Sequence, residues 1–167
     1  MTSANFTISA IPSSDLDRVR ARGRDDFGNP FAAFVNHDDE GTPLRCCLRD
    51  AVPGEEVALI AYQPSDRGGP YAEVGPVFIH AEPCDGYAKV DAYPEAFRDR
   101  RQLFRAYGPT GRQVRNVIAE PSEVDSVIAD LLGRPDVEFI HSRNVLAGCF
   151  MFVINRVQSD VGQGDLG

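Results

Sequence analysis

The chain has 167 residues and a mass of 18.3 kDa, with 43% apolar and 25% charged residues, a composition suited to a soluble globular protein with a substantial core. A formal net charge of −8 and a pI near 4.8 argue against a nucleic-acid partner, which would need a dense basic surface. No stretch approaches the roughly 18 apolar residues of a membrane span, and the first residues lack the basic start and apolar run of an export signal, so no membrane partner and a reducing, cytoplasmic location are expected.

In chain order, FTISAI (6–11) reads as a strand and SSDLDRVRAR (13–22) as a helix, with Ser13 or Ser14 as its cap and Asp15 and Asp17 in its first turn. Residues 23–43 are rich in Gly, Pro and Asp and read as loop, interrupted by a short element over 31–35. RCCLR (45–49) reads as a strand. After the turn signal Pro53-Gly54, EVALIAY (56–62) reads as a strand buried on both faces. PVFIHAE (76–82) follows a Gly- and Pro-rich loop, and PEAFRDR (94–100) has weak helical character. RQLFRAY (101–107) and QVRNVIA (113–119) form two further strands. SEVDSVIADLL (122–132) is the best helix, with Ser122 and Asp125 as a capping box and Gly133 as its stop. VEFIHSRN (137–144) and CFMFVINRV (149–157) form a closing hairpin. The expected architecture is α+β: a largely antiparallel sheet of about six to eight strands with two or three helices packed on one side. One globular domain over 1–157 and a mobile tail over 158–167 complete the expectation.

Cysteine and histidine cluster on three of these segments: Cys46 and Cys47 on one, His80 and Cys84 on the next, His141 and Cys149 on the last. Neither Cys-x2-Cys nor His-x3-His occurs. On a strand, Cys46 and Cys47 point to opposite faces, so only one of them can join a given site. The spacing therefore assigns no metal and names no cofactor; its candidate ligands are His80, Cys84 and His141, with one of Cys46 or Cys149. For thiol chemistry Cys47 is the better candidate, because it shares a face with Arg45 and Arg49, whereas Cys46 suits the core.

Alternation along 137–144 places Phe139, His141 and Arg143 on one face. Phe78, His80 and Glu82 share a face of their own strand. An aromatic ring, an imidazole and a charge in sequence make a poor hydrophobic face and a good pocket wall. Lys89 is the only lysine, so the available cations are planar arginine forks suited to carboxylate or phosphate. A small anionic ligand is expected in a pocket lined by Arg45, Tyr71, Glu73, His80, His141 and Arg143, with the loop over 65–75 as a flap. His80 and His141 are the candidate acid–base groups, and the residues leave open whether the protein is an enzyme. No Gly-x-Ser-x-Gly elbow, His-Glu-x2-His motif or dinucleotide fingerprint occurs. The alternative is a non-catalytic interaction module or homodimer, because both faces of CFMFVINRV are apolar.

The strings PLRCCLRDAVPGEEVALIAYQP, GPYAEVGPVFIHAEPC and HSRNVLAGCF together resemble a bacterial family catalogued as a domain of unknown function, number twelve-oh-three. The resemblance runs from the loop before Pro43 to Val157 and implies no particular activity, cofactor or catalytic residue.

Overall fold

The computed structural model describes residues 5–65 and 67–157, so the tail expected over 158–167 lies outside the described residues. Among the described residues, ten strands form two sheets, with two α-helices. β1 (Phe6–Ser9), β7 (Gln102–Tyr107), β8 (Gln113–Ala119), β9 (Phe139–Asn144) and β10 (Phe150–Arg156) make the first sheet, in the order β1-β10-β9-β7-β8. All its pairings are antiparallel. β2 (Ala33–Val35), β3 (Pro43–Leu44), β4 (Arg49–Asp50), β5 (Glu56–Tyr62) and β6 (Gly75–His80) make the second, in the order β2-β5-β6-β3-β4. Only β3 and β6 run parallel.

This is an α+β protein, but with two five-stranded sheets where one larger sheet was expected. The division falls between β6 and β7. There, residues 81–101 cross from one sheet to the other with a single 3-10 turn at Glu95–Phe97 and no strand. Tyr93 and Phe97 anchor that crossing in the core beneath the first sheet. Phe97 stacks on Phe152, with ring centroids 6.4 Å apart.

The helices serve different sheets rather than lying together on one side. α2 (Val124–Leu132) turns Ile128 and Leu131 onto the first sheet, among Phe104, Ile140, Phe152 and Ile154. Fully burying side chains of this size stabilises the fold by roughly 1.5–3 kcal/mol each. α1 (Ser13–Arg22) sends Leu16 and Val19 into the second core, with Val57, Ile60, Val77, Ile79 and Phe150. Neither helix starts with its expected cap. Pro12 precedes α1 and makes no side-chain cap. A 3-10 turn at Pro121–Glu123, closed by a capping box between Glu120 and Glu123, leads into α2 in place of Ser122 and Asp125.

β10 uses both apolar faces inside the chain. It is paired on both edges, by β1 and β9; Phe152 and Ile154 join the first core, while Phe150 joins the second. The strand that suggested a partner surface is thus covered by its own protein. β5 is buried on both faces at Val57 and Ala58, but Leu59, on the face of Val57, is exposed. Among the described residues, no helix is long and apolar enough to cross a membrane.

Candidate metal centre

The segment read as the strand RCCLR is in fact a turn. β3 and β4 are two residues long, and residues 45–48 turn the chain between them, closed by the Leu48 amide donating to the Leu44 carbonyl at 2.9 Å. Leu48 adopts φ 58°, a left-handed conformation that a side chain makes uncommon. Alternation does not apply in such a turn, so Cys46 and Cys47 can face the same site. The parallel pairing of β3 with β6 then sets this turn beside the end of β6, where His80 emerges. The Arg45 amide donates to the Phe78 carbonyl at 2.9 Å and fixes that placement.

Four donor atoms converge there. Cys46 Sγ and Cys47 Sγ are 4.0 Å apart, and His80 Nδ1 lies 3.5 Å from the first and 3.8 Å from the second. Cys84, on the loop after β6, brings its Sγ in, so that the donors of Cys46, Cys47, His80 and Cys84 all lie within 4.8 Å of one another. Metal–sulfur bonds of about 2.3 Å and metal–nitrogen bonds of about 2.0–2.1 Å in a tetrahedron require edges of roughly 3.8 Å between sulfurs and roughly 3.5 Å between sulfur and nitrogen. The three spacings among Cys46, Cys47 and His80 lie close to those edges, and those to Cys84 stay within 4.8 Å.

The surroundings favour a negative sulfur at Cys46 alone. Cys46 is buried and accepts the Cys47 thiol proton, together with the His80 backbone N–H at 3.3 Å, and falls to about 5. Cys47 rises as the holder of the shared proton, so the two titrate as one unit. Burial raises Cys84, while a hydrogen bond from the Gly86 backbone partly offsets it.

His80 is aimed from behind. Its Nε2 lies 3.2 Å from Glu55 Oε1, and Arg49 holds that carboxylate with two hydrogen bonds of 2.9 and 2.5 Å. Hydrogen bonding from Arg49 lowers Glu55 to about 2, so it is ionised at neutral pH. A proton on Nε2, donated to Glu55, leaves Nδ1 free to ligate; this carboxylate–histidine relay is a common outer shell of metal sites.

A family model described as "Protein of unknown function (DUF1203)" matches residues 41–156, most of the chain and all four donors. The chain belongs to this family. No curated protein and no solved structure matches it.

Of the six residues expected to line one pocket, Tyr71, Glu73, His141 and Arg143 border one small void, and His80 and Arg45 are not part of its lining. His80 belongs to the cysteine cluster. His141 and Cys149, both offered as metal ligands, lie outside it. Arg45 is a buried tie between the turn and β10: it donates to the Phe150 carbonyl at 2.7 Å, the Pro43 carbonyl at 2.5 Å and Cys149 Sγ at 2.9 Å.

On the inner face of the first sheet, His141 packs against the rings of Tyr107, Phe139 and Phe150 at centroid distances of 4.7, 5.2 and 5.1 Å. Burial, reinforced by the charges of Arg143 and Arg105, lowers it to about 3 and keeps it neutral. Arg143 and Arg105 share the Glu73 carboxylate at 2.7 and 3.0 Å, and Tyr71 stands exposed on the same loop.

Cys47 escaped the sequence reading as a ligand beside Cys46 because the pair was read on a strand. The turn RCCL carries none of the Gly, Pro, Asn or Asp residues that mark a turn, and its left-handed position is a leucine. Glu55, in the outer shell, had a fainter signal: it follows the Pro53-Gly54 turn, immediately before a strand that pairs with the one carrying His80.

Proposed function

We propose that this protein binds one thiophilic metal ion of the zinc class through Cys46, Cys47 and Cys84 Sγ and His80 Nδ1, and that the ion braces the junction between its two sheets. The convergence of three sulfurs and one imidazole nitrogen within 4.8 Å, with Cys46, Cys47 and His80 spaced close to tetrahedral edges, carries this reading. Soft thiolates select zinc or copper(I) over magnesium or calcium. Four protein donors fill a tetrahedral shell, the arrangement of closed structural sites rather than of catalytic ones that keep an open position. Such an ion would join the β3–β4 turn, the end of β6 and the start of the 81–101 crossing.

Metal analysis with native mass spectrometry, after reconstitution with zinc, tests the proposal. One equivalent per chain is expected, lost in Cys47→Ser and His80→Ala and kept in Cys149→Ser. A reconstituted wild-type chain without metal overturns it.

A second reading, a site for a small anion on the inner face of the first sheet, rests on a different observation: Arg105 and Arg143 already grip one carboxylate, that of Glu73. Titrating wild type and Glu73→Gln with malonate, followed by the arginine side-chain N–H resonances in NMR spectra, tests it. Silence in both proteins ends this reading.

A further inference from the structure

Building on the anion reading of the arginine face, on which this proposal rests, we infer that Glu73 is an internal ligand of that site. It is seated where a small dicarboxylate binds, and the incoming ligand displaces it together with its loop.

The two halves of the ion pair differ in kind. Arg143 is built into β9 with its side chain 7% exposed, and Arg105 into β7, across from His141 in the register, with 23% exposed. Glu73 sits on the loop before β6 with 46% of its side chain exposed. The cations are therefore fixed by the sheet, whereas the carboxylate arrives from a segment that can leave. The loop has its own hinge in Gly68 and Gly69, at φ 66° and 81°, in the left-handed region that glycine tolerates. Beyond that hinge Arg67 anchors the far end, to Glu138 at 2.7 Å, to the Pro109 carbonyl and over the Phe139 ring at 5.2 Å, so movement is confined to the Glu73 side of the glycines.

Glu73 also fills the seat incompletely. Its Oε2 takes only Nη2 of Arg143, at 2.7 Å, while Nη1 donates to the Gly148 carbonyl at 3.1 Å. The Arg143 Nε is buried without a hydrogen-bond partner among the described residues, although Nε and Nη2 form one edge of the guanidinium fork. A carboxylate free to approach that edge would engage both nitrogens. His141 Nδ1 is likewise buried and unpartnered, in a residue 3% exposed. Among the described residues, two arginines share one carboxylate, so the seat retains positive charge that a dicarboxylate would neutralise. Two carboxylates would give each guanidinium its own partner.

Space exists on both sides of Glu73. A cleft of about 400 Å³ is lined by Glu73, Arg105, Arg143, Tyr62 and Phe150. A void of about 10 Å³ lies between Glu73, Tyr71, Arg143 and His141. Glu73 and Arg143 line both, so withdrawing the Glu73 side chain would open the cleft toward His141.

Malonate titrations of wild type and Glu73→Gln at one low ionic strength test this, read from arginine Nε–H chemical shifts and calorimetry. Removing the competing charge should tighten malonate binding about tenfold or more. Adding Arg143→Met or the more exposed Arg105→Gln should then abolish the gain, and the thermal transition of each variant reports its folding. Equal affinity of wild type and Glu73→Gln, still lost in Arg105→Gln, overturns the displacement and leaves the anion site standing. No binding in either protein removes both. A gain that survives both arginine changes places malonate elsewhere and overturns the inference.

Discussion

The cysteine cluster and the arginine face both gather polar side chains at the edge of a largely apolar interior, yet they are in opposite electrostatic states. At Cys46, Cys47, His80 and Cys84 every donor is electron-rich, and the cations at that corner are already engaged, Arg49 by Glu55 and Arg20 by the His80 and Ala81 carbonyls. The sulfurs satisfy one another by sharing protons, a poor substitute for a cation at their centre. At Arg105 and Arg143 a carboxylate is already in place. The lesson concerns what each can accept: the first requires only that protons leave, whereas the second must give up a contact it already makes. Metal uptake should therefore be tight and proton-linked, and anion binding weak until Glu73 moves.

The largest effect expected to separate the two regions comes from chelation. Removing the ion should lower the thermal midpoint by roughly 10 °C or more, since a structural ion contributes its binding energy to folding and a chain of this size shifts by about 2–4 °C per kcal/mol. Thermal unfolding with and without a strong chelator checks it. An unchanged midpoint would make the cluster ornamental and collapse the contrast.

Next in size is a pH effect at the arginine face. Burial holds His141 at about 3 in the folded chain, well below its ordinary value of 6.5, with Arg143 and Arg105 as the facing charges and Tyr107, Phe139 and Phe150 as the packed rings. A depressed folded value means stability that is fully present above 6.5 and is lost as pH falls from there through 3. The loss should be roughly 2–5 kcal/mol. Denaturant unfolding of wild type and His141→Phe across this range should show a steeper acid decline in the wild type.

A smaller change is expected at the outer shell of the cluster. Glu55→Gln keeps the shape but weakens the acceptor behind His80, and should reduce zinc affinity by about 10–100-fold in a competition titration, with all four donors intact. An unaltered affinity would detach Glu55 from the centre. The smallest effect belongs to Cys149→Ser. Its thiol accepts from Arg45 and lies outside the cluster, so stability should move by no more than about 1 kcal/mol and metal content not at all. Loss of metal here would redraw the ligand set.

Periodicity made one half of this comparison legible and hid the other. Strand alternation placed Phe139, His141 and Arg143 on one face, and ring contacts from Tyr107 and Phe139 to His141, with Glu73 reaching Arg143, bear this out. It failed at Cys46 and Cys47, because a turn of residues without turn preference looks like a continuing strand. It also joined His80 and His141 into one pocket. Nothing local in the sequence shows that residues 81–101 carry the chain from one sheet to another and so separate the two histidines. Elements with a repeating period could be read singly; the relation between them depends on a crossing that has no period.

The loop position of Cys84 has a consequence for kinetics. Cys46, Cys47 and His80 are held in register by backbone pairing of the second sheet, and Arg20 of α1 braces the same corner by donating to the His80 and Ala81 carbonyls at 3.0 and 3.2 Å. Cys84 alone stands exposed, at the lip of a cleft of about 420 Å³ that also reaches Cys46. The cage would thus have three fixed walls and one hinged wall. Cys84 would close last on an arriving ion and open first for a departing one, making this single thiol the gate that sets the ion's residence time.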